Sequence, residues 1–381
     1  MASIRKRTLP SGKTAWLVDY VDQAGKRRAK QFATKREADG WMVSARAEVR
    51  DGVHTHDRDS VTVERAGDLW IERCEADGLE LTTLRGYRQH LKLHIVPRIG
   101  ATKLSRLTAP AVAAFRDKLV EDGRSAAMVK RVLGSLSSLV SEAQRRGLVA
   151  VNNVKAGGRT KRGKRERAHI EMPSRDELKA MLAATTDKTR PMIMVALLCG
   201  LRASELRGLL WSDVDLKSGM MKIRRRVDRW NNFGPPKSEA GNRDIPLSPA
   251  LVTVLKTWKL ACPKGELGLV FPTGAGGVES HGNLLSRVFW PLQVAAGVTV
   301  LRDDKDEHGE PIKVPDAKYS LHALRHAAAA LWIEQGFNAK RIQYLMGHSS
   351  IQMTFDVYGF LFEAKAEDAN GMDAIASRLL S

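Results

Sequence analysis

Six side chains able to break a phosphodiester stand in order along this chain of 381 residues: Arg202, Lys237, His322, Arg325, His348 and Tyr358. Arg202 sits in Gly200-Leu-Arg-Ala-Ser-Glu205, and Lys237 in a Pro-Pro-Lys-Ser stretch. His322-Ala-Leu-Arg325 is a His-x-x-Arg unit, and Gly347-His348 places a histidine ten residues before Tyr358. Cutting DNA by transesterification needs a nucleophile and cations on the non-bridging oxygens. It also needs a group to take the nucleophile's proton and another to protonate the leaving 5′ oxygen. The sequence has no cluster of metal ligands to supply positive charge. Arginine is the natural substitute, because its planar fork binds phosphate bidentately and keeps its charge. Arg202 and Arg325 are therefore expected to clamp the phosphate as charge develops at pentavalent phosphorus.

Tyr358 is the expected nucleophile. A free phenol titrates at about 10 and needs cationic neighbours to ionise. The chain has five tyrosines. Tyr20 reads as part of a strand, Tyr87 as part of a helix and Tyr319 as the residue before a helix cap. Tyr344 shares an expected core stripe with Ile342 and Leu345. Tyr358 alone follows a Gly-His at this distance.

The elements that must position these residues can be read from caps and periodicity. Ser174-Arg-Asp-Glu177 predicts a capping box, and the next helix runs toward Leu198 and stops near Gly200. Met221 to Val227 alternates, with Met221, Ile223 and Val227 on one face and Lys222, Arg224 and Arg226 on the other, which predicts one half-buried strand. Asn242 to Leu247 is the returning strand, and Lys237 falls in the loop between, with Lys222 its nearest rival. Ser248, Ser320, Asn338 and Ser350 stand where N-caps belong. On a helix opened by Ser320, His322 and Arg325 share a face, and His322 can exchange protons near neutral pH. His326 lies about 100° further round and reads as structural. His348 follows a short helix and the turn at Gly347. Tyr358 ends another short helix. Leu301 to Pro315, rich in Asp, Glu and Lys, reads as an exposed insertion loop.

Composition bounds the rest. A net charge of +19 concentrates polyanions and points to nucleic acid. No apolar run is long enough to span a membrane, and no secretory signal is visible at the N-terminus. Cys74, Cys199 and Cys262 are never paired at metal-ligand spacing, which argues for a reducing compartment and against a zinc site.

Ahead of the catalytic segment lie three further regions. Residues 1–55 read as a basic β-β-β-α module: strands near Ser3 to Leu9, Thr14 to Val21 and Lys26 to Phe32, then a helix capped by Thr34 and Glu37. Residues 60–152 read as four amphipathic helices near 62–77, 82–95, 109–122 and 125–147, with Pro97 and Gly100 breaking the second from the third. Arg85, Arg88 and Lys92 share the outer face of the second helix. Lys130, Arg131, Arg145 and Arg146 dot the fourth. Residues 153–172 are a basic linker, carrying Lys161, Arg162, Lys164 and Arg165. It has too few apolar residues to offset its ordering entropy, and it is expected to strap DNA.

The ordered set Arg202, Lys237, His322, Arg325, His348 and Tyr358 resembles the tyrosine recombinases, and the lambda-type phage integrases most closely. The resemblance implies a multidomain fold, mainly α with small antiparallel β-sheets. Residues 1–55 resemble an arm-site-binding module, 60–152 a helical core-binding bundle, and 173–381 the mixed α/β catalytic domain with its C-terminal tail. It implies that His322 acts as general base on Tyr358 or holds the phosphate. His348 would donate to a non-bridging oxygen, and Lys237, on a β-hairpin, would protonate the leaving 5′ hydroxyl. Glu205 would orient Arg202. It further implies a 3′-phosphotyrosine intermediate without metal, ATP or other cofactor. A homotetramer would act on double-stranded DNA through a Holliday junction at core and arm sites. A host DNA-bending protein and an excision factor are possible partners, and a membrane is not. The tail would dock on a neighbouring protomer, in the cytoplasm of a bacterial host and at its nucleoid. A type IB topoisomerase or hairpin-forming resolvase would use the same residues on one duplex. A non-catalytic DNA-binding regulator would bind without a covalent adduct.

Overall fold

Alternating side chains build the first sheet. The structure, a computed structural model, describes residues 3–22, 25–50, 60–157, 171–306 and 308–362. The chain divides into two units, Met1–Glu166 and Arg167–Ser381. In the first, strands β1 (Ser3–Thr8), β2 (Thr14–Val21) and β3 (Arg27–Phe32) form an antiparallel meander, with Ser3 opposite Asp19 and Trp16 opposite Phe32. Val18 and Tyr20 point inward, while Arg5, Lys6 and Arg7 stay exposed. Helix α1 (Lys35–Arg50) opens with the expected reciprocal cap: Glu37 N donates to Thr34 Oγ1 at 3.2 Å, and Thr34 N to Glu37 Oε2 at 3.1 Å. Trp41 fixes the helix to the sheet, edge-on to Tyr20 at 5.1 Å between centroids.

The remainder of this unit is helical: α2 (Val63–Ala76), α3 (Leu81–His90), α4 (Val96–Ile99), α5 (Ala109–Glu121), α6 (Ala126–Arg145) and α7 (Asn153–Gly157). Thr62, Thr108 and Ser125 cap α2, α5 and α6 through their hydroxyls. Trp70, Leu84, Ile95, Phe115, Leu119, Leu136 and Leu139 fill one core. The second helical segment separates from the third at Gly100, and Pro97 lies inside the helix rather than breaking it. A π turn, Leu91–Ile95, joins α3 to α4, and the chain stays helical to Ile99. Proline has no N–H to give an α-helical ladder. The wider turn re-registers that ladder, with Val96 N donating to Leu91 O five residues back.

The second unit holds α8 (Arg175–Ala183), α9 (Arg190–Cys199) and α10 (Ala203–Arg207), then β4 (Val214–Asp215), β5 (Met220–Ile223), β6 (Arg226–Val227), β7 (Phe233–Gly234) and β8 (Arg243–Pro246). Helices α11 (Pro249–Ala261), α12 (His281–Asn283) and α13 (Trp290–Ala295) follow, then β9 (Thr299–Lys305), β10 (Pro311–Ala317), α14 (His322–Glu334), α15 (Ala339–Met346) and α16 (Ile351–Tyr358). Ser174 and Glu177 make the predicted capping box. The core runs from α9 (Ile193, Val195, Leu197) through the sheet (Met221, Ile223, Ile245) to α11 and α14 (Leu251, Leu255, Leu324). Among the described residues no helix is long and apolar enough to cross a membrane.

Four local expectations are corrected. The single strand Met221–Val227 is two strands: β5 lies between β4 and β8, whereas β6 pairs with β7. The break falls where Arg225 turns to Asp213, and where Arg224 Nη1 donates at 3.1 Å to both Ile223 O and Arg243 O. Ser320 does not cap α14, which begins at His322 after Leu321. Its entry is held instead by Gln293, which accepts from Tyr319 N at 2.8 Å and donates to Tyr319 O at 2.9 Å. The 301–315 loop is most of an exposed antiparallel hairpin, β9–β10. Asp306 Oδ1 makes its turn by accepting from the N–H groups of His308 and Glu310. Tyr344 is not on the core stripe with Ile342 and Leu345. It is 43% exposed, and its hydroxyl accepts from Asp244 N at 3.0 Å.

Candidate active site

The site forms where α9 ends. Gly200 closes that helix at φ +59°, and a Cβ there would come within 2.9 Å of Trp332, so the chain can turn at this point only without a side chain. The turn delivers Arg202 to the start of α10. Glu205, three residues on, accepts from Arg202 N at 2.9 Å and from its Nη1 at 2.7 Å. Arg202 Nη2 also donates to Gly347 O at 3.1 Å. Arg325, on the buried face of α14, donates from Nη1 to Gly200 O at 2.5 Å and from Nη2 to Met346 O. The two guanidinium groups thus tie the end of α9 to the turn after α15.

Gly347 is that turn. It adopts φ +60°, and a Cβ on it would lie 3.0 Å from both Ala240 O and Arg243 Nη1. The short turn Glu239–Gly241, just after Lys237, therefore packs against the residue before His348. His348 is buried, and its Nδ1 lies 3.0 Å from Thr354 Oγ1 on α16. Tyr358 closes α16 and is 1% exposed, its ring parallel to His348 at 6.4 Å between centroids. The Tyr358 hydroxyl sits 2.8 Å from His326 Nδ1. His326 in turn meets His322 edge-on at 4.7 Å between centroids.

Two groups here escaped the sequence reading. Arg243, at the start of β8, is fully buried. It donates to both oxygens of Glu205 (Nη2 to Oε2 2.8 Å, Nη1 to Oε1 3.2 Å), to Leu345 O at 2.7 Å and to Gly241 O at 3.1 Å. Nothing in Asn-Arg-Asp-Ile-Pro signals that burial. His326, which reads as structural from the sequence, faces the phenol. The usable signal was its i,i+4 relation to His322, which puts both imidazoles on one side of α14.

Charge and burial set the protonation states. Burial opposes ionisation of Glu205, but Arg243, Arg202 and Arg325 outweigh it and hold the carboxyl at about 2. Burial, then the charges of Arg325, Arg202 and Arg243, push the His348 imidazole down to about 4. The His322 imidazole is also lowered, by desolvation first and then by His326, Arg325 and Arg202; solvent reaches this exposed ring and screens part of the effect. Burial raises the Tyr358 phenol to about 12, while Arg325 and Arg202 pull the other way. The resting site therefore holds a protonated phenol among neutral imidazoles and fixed guanidinium charge.

Depressed folded values on Glu205 and His348 make this unit acid-sensitive. The unfolded chain takes up these protons first, so stability is full above about 6.5 and falls as pH drops. The His348 contribution is lost between 6.5 and about 4, and that of Glu205 between 4.5 and about 2. His348 alone accounts for on the order of 3 kcal/mol across its window. Thermal melts from about pH 7.5 to 4.5 are expected to show the fall, and His348→Asn to flatten it. A melting temperature independent of pH over that range would contradict the assignment.

The remaining candidates are solvent-exposed wherever the structure describes them. Lys237 is exposed on the bend after β7, and Lys222 is exposed on β5. Arg85, Arg88, Lys92, Lys130, Arg131, Arg145 and Arg146 are all exposed; Arg88 pairs with Glu75, while Arg145 and Arg146 pair with the buried Glu142. Lys161, Arg162, Lys164 and Arg165 lie outside the described residues, as does the C-terminal tail.

A buried tyrosine beside two arginines and three imidazoles, on a mainly helical scaffold with small antiparallel sheets, brings together the groups that tyrosine-dependent phosphoryl transfer requires. The sequence matches the phage integrase family over residues 173–363, and the N-terminal SAM-like domain of phage integrases over 62–120. Prophage integrase IntR of Escherichia coli is 24% identical, the match covering 77% of this chain and 74% of IntR. Among solved structures, the Tn1549 transposon integrase in complex with transposon right end DNA superposes with a TM-score of 0.62 at 19% identity, over 84% of this chain and 100% of that one. A lambda integrase tetramer bound to a Holliday junction gives 0.57 at 21% identity, over 92% and 93%. The chain belongs to the phage integrase family and is a tyrosine recombinase, an enzyme of site-specific DNA recombination.

Proposed function

We propose that this recombinase integrates and excises a phage or other mobile element, with Tyr358 as the nucleophile. The phenol oxygen attacks a scissile phosphate, leaving a 3′-phosphotyrosine and a free 5′ hydroxyl. Arg202 and Arg325 neutralise the charge on the non-bridging oxygens, where one such donor is worth on the order of 10²–10³ in rate. His348 donates to the same oxygens. His322 takes the phenol proton or holds the phosphate. Lys237, brought in on its loop, protonates the leaving oxygen. Glu205 positions Arg202. The partner strand's 5′ hydroxyl then attacks the phosphotyrosine, so the bond energy is kept and no ATP is consumed.

In this reading four protomers act on two duplexes through a Holliday junction. The 60–152 bundle, with Arg85, Arg88, Lys92, Lys130 and Arg131 exposed, grips core DNA, and the basic strap from Lys161 to Arg165 follows the backbone. The 1–55 module binds arm sites, with a host bending protein and an excision factor assisting at the nucleoid. The observation that carries the reading is the buried Tyr358 hydroxyl under the combined charge of Arg325 and Arg202.

A nicked suicide duplex carrying the attachment core tests it. A protein–DNA adduct that survives denaturation is expected, with the 3′ phosphate mapped to the peptide holding Tyr358. Binding of that duplex with no adduct, or attachment through a 5′ phosphate, overturns the proposal.

A further inference from the structure

We infer that His326, and not His322, is the catalytic base that takes the phenol proton during strand cleavage and returns it during rejoining. This rests on the proposed role of Tyr358 and assigns the one proton that role leaves open. The geometry is direct: Nδ1 of His326 lies 2.8 Å from the phenol oxygen, within the reach a general base requires.

The other groups around that oxygen cannot serve. Arg325 and Arg202 donate only and stay charged. His348 has its Nδ1 on Thr354 Oγ1, and its ring lies stacked parallel to the phenol at 6.4 Å between centroids. His322 touches His326 edge-on, and it is His326 that makes the hydrogen bond to the phenol. Glu205 is committed to Arg202 and Arg243.

The role requires the tautomer in which the phenol O–H donates to a bare Nδ1 and Nε2 carries the proton, and the 2.8 Å contact accommodates it. Burial and the Arg325 charge keep this imidazole neutral in the free chain, which preserves the lone pair. As the phenol oxygen forms its bond to phosphorus, its proton moves to Nδ1. The P–O5′ bond breaks with its electron pair going to the 5′ oxygen, which takes a proton from the Lys237 ammonium. The arriving phosphate brings negative charge beside Arg325 and Arg202 and offsets the repulsion that the new imidazolium meets. Rejoining runs the same path backwards: the incoming 5′ hydroxyl gives its proton to Lys237, and the departing phenolate recovers its own from His326.

The test is single-turnover covalent-complex formation on the nicked suicide duplex at saturating protein, from about pH 5 to 9. His326→Asn is the chosen variant, since its amide oxygen can accept the phenol hydrogen bond but cannot take the proton. The wild type should lose rate on the acid side with a one-proton inflection. His326→Asn should be slower by on the order of 10²–10³ and should climb with pH throughout, with duplex binding and melting temperature close to wild type. Added imidazole should speed His326→Ala. A 5′-bridging phosphorothiolate, whose thiolate leaves without a proton, should rescue Lys237→Ala and leave His326→Asn slow. Three results overturn the assignment: a rate near wild type with the same profile, a faster rate (His326 is then a latch on a resting tyrosine), or a uniform slowing at every pH (a packing role). If the wild type forms no adduct at all, the proposed function falls first and this inference with it.

Discussion

Tyr358→Phe is expected to remove covalent-complex formation altogether, a loss on the order of 10⁴ or more, while duplex binding stays within about twofold. The change deletes one oxygen from a side chain that is 1% exposed. The ring remains against His348, so the packing of α16 survives. What disappears is the atom proposed to bond to phosphorus. Arg325 and Arg202 are cations, the His326 imidazole meets the phenol hydroxyl, and the His348 ring lies parallel to the phenol. The structural cost is the lost hydrogen bond to His326, on the order of 1 kcal/mol. Binding should hold because phosphate contacts carry most DNA affinity, and the variant keeps every cation. Gel shift and adduct formation on one substrate check both halves. A residual adduct above background would mean another nucleophile, and the role given to Tyr358 would be wrong.

Arg243→Ala is expected to be the most destabilising single change in the catalytic unit, at about 3–5 kcal/mol, because it leaves a buried carboxylate short of its main counter-charge. Arg243 makes four hydrogen bonds from a fully buried position, two to Glu205 and two to the carbonyls of Leu345 and Gly241. Arg202, which is half exposed, would then carry the guanidinium hydrogen bond to Glu205, with the Arg325 charge acting from further away. A unit of this size should melt lower by roughly 10 °C. The loss of Arg243 should also raise the Glu205 carboxyl from about 2, since that guanidinium is the strongest influence holding it down. Acid unfolding should accordingly begin at a higher pH than in the wild type. The change should reach the chemistry as well, because Gly347 packs on Arg243 and carries His348. A melting temperature within about 2 °C of wild type would falsify this account of the cluster.

Much of this protein is written locally. The helices of 60–152 follow from apolar spacing, and their starts from Thr62, Thr108 and Ser125. The capping boxes at Thr34 and Ser174, the end of α9 at Gly200 and the start of α16 at Ser350 need only a few neighbouring residues. The order Arg202, Lys237, His322, Arg325, His348 and Tyr358 names the chemistry, because few side chains can combine fixed positive charge, proton exchange near neutral pH and a phenol. Five of those six meet in one cluster, and Lys237 sits on the adjoining loop.

The misses share a different cause. The π turn before Pro97, the strand broken at Arg224 and Arg225, the hairpin β9–β10 and the exposed Tyr344 each depend on partners far along the chain or on a ladder that local periodicity does not record. Arg243 and His326 are the sharpest cases. An arginine in a strand and a histidine on a helix have the same local propensities whether they meet water or a buried partner. Their roles come from Glu205, 38 residues away from Arg243, and from Tyr358, 32 residues away from His326. Sequence fixes which groups can move a proton or hold a charge, since that is a property of the side chain alone. Which of them touches the reacting oxygen is a matter of position, and only the packing of α14, α16 and β8 decides it.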